Sequence, residues 1–340
     1  MTNAHLSPFD ADAPVGACAP PTLADSGYLL LDPGAFSDAE QIAKLCPVVC
    51  RPTNWSRDST GLPVLVDLTQ CDAWQKEWLE ATLDEAHNNA QSAPLMRSGI
   101  CAHIESPVGA NELAAHLASQ MLVLPISKDR NRTLGGALWR FFDPRVFANL
   151  CWLLDGARLA ALIGPVSKWA FPWLGITFVL DATADGFLTP EADVAASSPE
   201  RIAGRVPVDI GVWERAQRIS MINEVLVRLS LPSEPTWSQC VAAARRAEAA
   251  LVEAAHRVRS SQSEDLVLYA EHAAHYGMAF SEHPKLIECW AQMAARTSSM
   301  SCADAISLLT PAEYVALAQY AAPTINTSLL NNPNPQGVNP

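Results

Sequence analysis

Apolar and polar positions divide the chain into two regimes. From Gly27 to about Pro172, short apolar runs alternate with segments of helical spacing, as in a layered domain whose helices lie over a sheet. Strands are expected at Tyr28–Leu31, Val48–Arg51, Leu62–Leu68, Ser98–Glu105, Met121–Ile126 and Ala137–Phe142. Between them, Ser37 and Glu40 have capping-box spacing ahead of Ile42 and Leu45. Asp72–His87 sets Trp74, Trp78 and Leu79 at helical intervals, and Asn111–Gln120 sets Leu113 and Leu117 on one face. The most apolar stretch, Val146–Ile163, is interrupted by Asn149, Asp155, Gly156 and Arg158, which predicts a buried globular helix and not a membrane span. A further β-rich piece follows at Gly175–Asp181.

Residues 183–207 are rich in Ala, Ser, Pro and acids without sustained periodicity, the pattern of a linker. Helical spacing then dominates at Val212–Leu229, Ser238–Arg259, Glu264–Met278, Pro284–Arg296 and Ala303–Tyr320. Thr236 with Gln239, and Thr310-Pro311 with Glu313, are start signals that satisfy free amides at a helix end. The expected class is therefore α+β: a flexible arm (1–26), a mixed α/β domain with helices over a sheet (27–182), a linker (183–207), an all-helical domain (208–322) and a disordered tail (323–340). The first 26 residues have no basic start, so no secretory signal is expected.

Composition narrows the function. A hydrophobic fraction of 49% over 340 residues is enough for two cores. The net charge of -13 arises from interleaved acids and bases, without the basic run that phosphates require, so neither nucleic acid nor membrane is expected as a partner. Nine scattered cysteines with no Cys-x-x-Cys pair suit a reducing cytoplasm. Cys46 and Cys50, flanking Pro47-Val48-Val49, read as half-buried thiols and not as metal ligands.

Several patterns test for chemistry. His272 and His275 lie three apart beside Glu271, with Glu282 and His283 close by, which raises a metal-dependent hydrolase as the alternative reading. The metalloprotease spacing, histidines four apart with Glu after the first, is absent. Gly164-Pro165-Val166-Ser167-Lys168 lacks the second glycine of a nucleophile elbow and reads as a helix stop. Gly135-Gly136 precedes a strand, so it cradles no phosphate, and Asp84-Glu85 point to different azimuths on a helix. No catalytic constellation stands above background, and no metal or cofactor is expected.

The most distinctive stretch is Trp139-Arg140-Phe141-Phe142-Asp143-Pro144-Arg145-Val146. Strand alternation would place Trp139 and Phe141 on one face, with Arg140 and Phe142 on the other. Asp143 then caps a helix whose first position is Pro144. Arg140, Asp143 and Arg145 should meet there as an ion cluster that fixes the turn or contacts a partner. Here the sequence resembles the effector chaperones, or adaptors, of bacterial type VI secretion systems, whose hallmark is Phe-Arg-Phe-x-Asp-Pro-Arg-Val; Trp139 replaces the first aromatic. The resemblance also runs through Gly27–Asp32, Pro63–Leu68, Ser98-Gly99, Leu113–Leu117 with His116, and Gly164-Pro165 to Trp169, about residues 27–172.

What the resemblance implies is a cytoplasmic chaperone without catalysis that binds one effector, through the effector's N-terminal region, and assists its loading onto the VgrG spike. A toxin or immunity component of the same system is the further alternative. The helical part would read the cargo, with Trp213, Trp237 and Trp290 as candidate anchors, although a tryptophan at helical spacing also suits a core.

Overall fold

The computed structural model describes residues 15–18, 23, 26–127, 134–184, 201–202, 204–258, 260, 262–295 and 300–319. Tyr28–Leu31 (β2) has no polar position, and all four of its side chains are buried. It pairs antiparallel with Val64–Asp67 (β4) on one side and Ile100–Glu105 (β5) on the other, so a continuous apolar run here marks a strand covered on both faces. With Val15–Cys18 (β1), Val48–Val49 (β3), Lys168–Trp173 (β8) and Ile176–Asp181 (β9) it forms a seven-stranded sheet in the order β1-β9-β8-β5-β2-β4-β3, all neighbours antiparallel. A three-stranded sheet sets Leu122–Ile126 (β6) between Ala137–Leu138 (β7) and Val206–Asp209 (β10). The fold is α+β.

Helices cover both faces of the large sheet. On one, Leu29 and Leu31 pack with Val64, Val66 and Ile100 against Ile42 of Ala39–Lys44 (α1), Leu45 just after it and Leu79 of Ala73–Ser92 (α2). Leu29 is in register with His103, and His103 with Ala170, so the alternate positions Trp169 and Phe171 belong to the opposite face. There Phe147 of Pro144–Leu153 (α4) stacks on Trp169 at 4.4 Å and meets Phe171 edge-on at 5.1 Å. Ala110–Gln120 (α3) buries Leu113, Ala114 and Leu117, and Gly156–Ile163 (α5) buries Leu159, Leu162 and Ile163.

The chain divides into two compact units, 1–227 with 234–244, and 228–233 with 245–340. This differs from the expected division at 183–207. The helices Ile210–Ala216 (α6) and Ile219–Arg228 (α7) belong essentially to the first unit, because buried Asn223 accepts hydrogen bonds from Trp173 Nε1 at 2.9 Å and Asn149 Nδ2 at 3.3 Å. Trp237–Arg257 (α8) begins in the first unit and ends in the second. The second unit adds Ser263–Tyr276 (α9), Met278–Ser281 (α10), Pro284–Ala295 (α11), Cys302–Ile306 (α12) and Pro311–Ala318 (α13) around Tyr269, Phe280 and Trp290.

Other expectations are corrected in part. Within the supposed arm, Val15–Cys18 pair with β9, and within the supposed linker Val206–Asp209 add a parallel strand to β6. The rest of 1–14 and of 185–200, and the tail 323–340, lie outside the described residues. Asp38, not Ser37, caps α1, accepting from the amides of Glu40 and Gln41. Val146–Ile163 is two helices, because the chain is extended at Leu154 and Asp155 before Asp155 caps α5. No helix among the described residues is long and apolar enough to cross a membrane.

Candidate functional site

The hallmark block begins where β7 ends at Leu138. Trp139 to Phe142 do not continue the strand: the Asp143 amide donates to the Arg140 carbonyl at 3.0 Å, closing a turn. The expected alternation is therefore lost, and Trp139, Phe141 and Phe142 are all buried. The helix start is as the sequence implied. Asp143 is extended and accepts from the Arg145 amide at 3.0 Å, with Pro144 at the first helical position.

The expected three-residue ion cluster is in fact divided between an Arg145–Asp143 pair and a triad of Asp32 with Arg97 and Arg140. Arg145 clamps Asp143 through Nε–Oδ1 at 3.0 Å and Nη2–Oδ2 at 2.7 Å, while its Nη1 donates to the Leu95 carbonyl. Arg140 reaches instead to Asp32, at the end of β2, through Nη2–Oδ2 at 2.9 Å. Asp32 also accepts Nε and Nη2 of Arg97, each at 2.6 Å, and the Gly34 amide at 3.2 Å. Asp32 is 1% exposed, whereas the side chains of Arg97 and Arg140 are 36% and 40% exposed, so a buried carboxylate holds two guanidiniums whose outer faces reach water. A Cβ on Gly34 would lie 2.7 Å from Arg97 Nη2, so a side chain there would have to displace the guanidinium. The Arg140 guanidinium also lies 5.3 Å from the Phe142 ring centroid.

Electrostatics follow the pairing. The hydrogen-bonded carboxylates raise Arg97 and Arg145 above their ordinary values, through Asp32 and Asp143 respectively. Fully buried Cys101 has its thiol pushed up, first by burial and then by the charges of Asp32 and Asp143, so it is inert as a nucleophile. Trp139 lines a pocket of about 380 Å³ with Ile126, Leu154, Leu162, Val206 and Val208.

The sequence-derived anchors fare differently. Trp237 is buried in the first unit, 5.4 Å from Phe178 and 5.6 Å from Trp173, and Trp290 is buried in the second, 5.1 Å from Tyr269. Both are core residues and present no face to a cargo; Trp213 is half-buried on α6. His272 Nδ1 donates to the Leu268 carbonyl at 3.0 Å and its ring packs on Phe280, His275 stands edge-on to Tyr276 at 4.5 Å, and His283 Nε2 lies 3.9 Å from Glu313. His272 and His275 both pack against Tyr276, and among the described residues no three His, Cys, Asp or Glu side chains are placed to hold a metal ion. Cys46 is exposed and Cys50 buried, so they are not the matched half-buried pair the spacing suggested.

Asp32 and Arg97 were not singled out as site residues. Asp32 had a signal: an acid directly after four buried apolar residues enters the core and needs a partner. Arg97 had none. Neither a protein-family model, a curated protein nor a solved structure matches the chain.

Proposed function

We propose that the chain is a cytoplasmic, non-catalytic adaptor of a type VI secretion system, which binds the N-terminal region of a cognate effector and assists its loading onto VgrG. One observation carries the reading: segments that bear the resemblance far apart in sequence touch one another. Asp32, from the first block, binds Arg140 of the hallmark across 108 positions, and its amide donates to the carbonyl of Gly99 in a third block at 2.9 Å. His116, from a fourth, pairs through Nε2 with the Leu162 carbonyl at 3.1 Å beside Gly164 of the last. Residues spent on mutual ion pairs and caps suit a scaffold that presents surfaces to proteins.

The test is co-expression of the full chain with the proteins encoded beside it, followed by affinity capture and mass spectrometry. A stoichiometric complex containing an effector and VgrG is expected. Capture of neither overturns the proposal.

A further inference from the structure

Asp32 is neutralised without Arg140. Arg97 already grips both of its oxygens, Nε on Oδ2 and Nη2 on Oδ1, each at 2.6 Å, and the Gly34 amide adds a donor to Oδ1 at 3.2 Å. Arg140 Nη2 comes to the same Oδ2 as a second donor, at the longer distance of 2.9 Å. Asp143 is likewise taken up on both oxygens by Arg145. Three guanidiniums therefore meet two carboxylates, and the positive charge left over belongs to Arg140.

Arg140 is also short of acceptors. A guanidinium carries five N–H donors, and among the described residues the contact with Asp32 is the one hydrogen bond that Arg140 makes. Its Nε is buried with no acceptor, so that side of the charge is desolvated without compensation. The remainder of the side chain is open, 40% exposed. Its position is nevertheless fixed: Asp32 holds one end, and the guanidinium lies 5.3 Å from the centroid of the Phe142 ring, which is itself buried. A cation anchored in this way has little side-chain freedom left to lose when an anion arrives.

The surplus defines the anion. One guanidinium with coplanar free donors matches one carboxylate, which is planar and singly charged, whereas a phosphate monoester, with close to two negative charges at neutral pH, would stay half uncompensated here. On a chain of net charge -13 the long-range field disfavours acids, so an acid seated at Arg140 is placed there by the local surplus.

We propose that Arg140 is a docking contact for a carboxylate of a partner protein, which accepts from the open N–H groups of its guanidinium; taking that partner to be the effector rests on the adaptor reading above. Asp32, Arg97, Phe142 and Arg145, which set up the contact, all belong to the first unit.

The test is to pan random twelve-residue peptides, displayed on phage, against the full chain. The affinity of enriched peptides is then measured in solution for the natural sequence, for Arg140→Gln, and for Arg158→Gln, which removes an equal charge from an exposed pair elsewhere in the same unit. Peptides should be enriched in which changing one Asp or Glu to its amide weakens binding about tenfold or more. Arg140→Gln should cost as much, the two changes together should cost no more than either alone, and Arg158→Gln should cost less than about twofold. Because Asp32 keeps Arg97, the urea midpoint of Arg140→Gln should fall less than half as far as that of Asp32→Asn. Failure to enrich any acidic peptide that depends on Arg140, additive losses, or a midpoint as low as that of Asp32→Asn overturns the contact. Displacement of the peptides by inorganic phosphate in preference to acetate, at equal ionic strength, overturns it too. Those results leave effector capture by the intact chain standing. Acidic peptides that depend on Arg140, with no effector capture, remove the adaptor reading and keep the contact.

Discussion

Replacing Asp32 by Asn keeps the shape and one acceptor but removes the charge that Arg97 and Arg140 share. Of the three guanidinium contacts, at 2.6, 2.6 and 2.9 Å, those to the oxygen that becomes the amide NH2 are lost, and the rest lose the acceptor's charge. At about 1 kcal/mol lost for each, the gross change is about 3 kcal/mol. Both arginines are more than a third exposed, so water recovers part of this on their outer faces, leaving about 2 kcal/mol. The assay is urea unfolding followed by tryptophan fluorescence, because every tryptophan except Trp290 belongs to the first unit. With a slope of about 2 kcal/mol/M, the midpoint should fall by about 1 M. Lys168→Ala, which removes a surface pair with Glu105 whose side chains are 44% and 47% exposed, should shift it by less than about 0.3 M. If Asp32→Asn moves the midpoint no more than Lys168→Ala, the buried carboxylate is not the keystone of the hallmark turn and the reasoning fails.

Asn223→Leu should destabilise the first unit by about 2 kcal/mol in the same assay, since it strands the buried Trp173 N–H and takes one of two acceptors from Asn149 Nδ2, which keeps the Arg145 carbonyl; near-neutrality would mean that the Trp173 N–H finds another partner. Gly164→Ala should cost more than about 2 kcal/mol, because φ there is +59° and the added Cβ would collide with the His116 ring, and His116→Ala should relieve part of that cost when the two are combined. Glu313 is held down to about 2 by the Thr310 amide, the Lys285 ammonium and the Thr310 hydroxyl, against about 4.3 in an unfolded chain. Its folded value is the lower, so its contribution is complete above about pH 4.3 and is lost as pH falls toward 2. Protection of the amides at the start of α13, taken relative to their intrinsic exchange rate at each pH, should fall over that range in the natural sequence and stay flat in Glu313→Gln.

Local signals carried much of the fold. The apolar run of β2, the Thr310-Pro311-Glu313 start of α13 and the Asp143-Pro144 joint were readable because each is decided by neighbours in sequence. The strands β1 and β10 were not. Their partners β9 and β6 are remote, and short pieces rich in small residues or proline give no alternation of their own. The strand β8 was hidden by Pro172 and by the helix stop ahead of it. At the site, the cap and the Asp143–Arg145 pair follow from spacing, but the choice of Asp32 over Asp143 by Arg140 depends on how β2 is placed in the sheet. Trp237 and Trp290 show the reverse limit: helical spacing identifies a packed face without telling whether the packing partner is the chain itself.

The course of the chain between its two units has a consequence for how such a protein can change. The backbone passes from one unit to the other at 227/228, 233/234 and 244/245. A single recombination event, or a single cut in a cloning scheme, cannot exchange either unit whole. A crossover at 207/208 would split β10 and separate Trp237 from the aromatic residues of β8 and β9. New properties must therefore arise by point changes within an inherited frame, or by grafts that respect all three junctions.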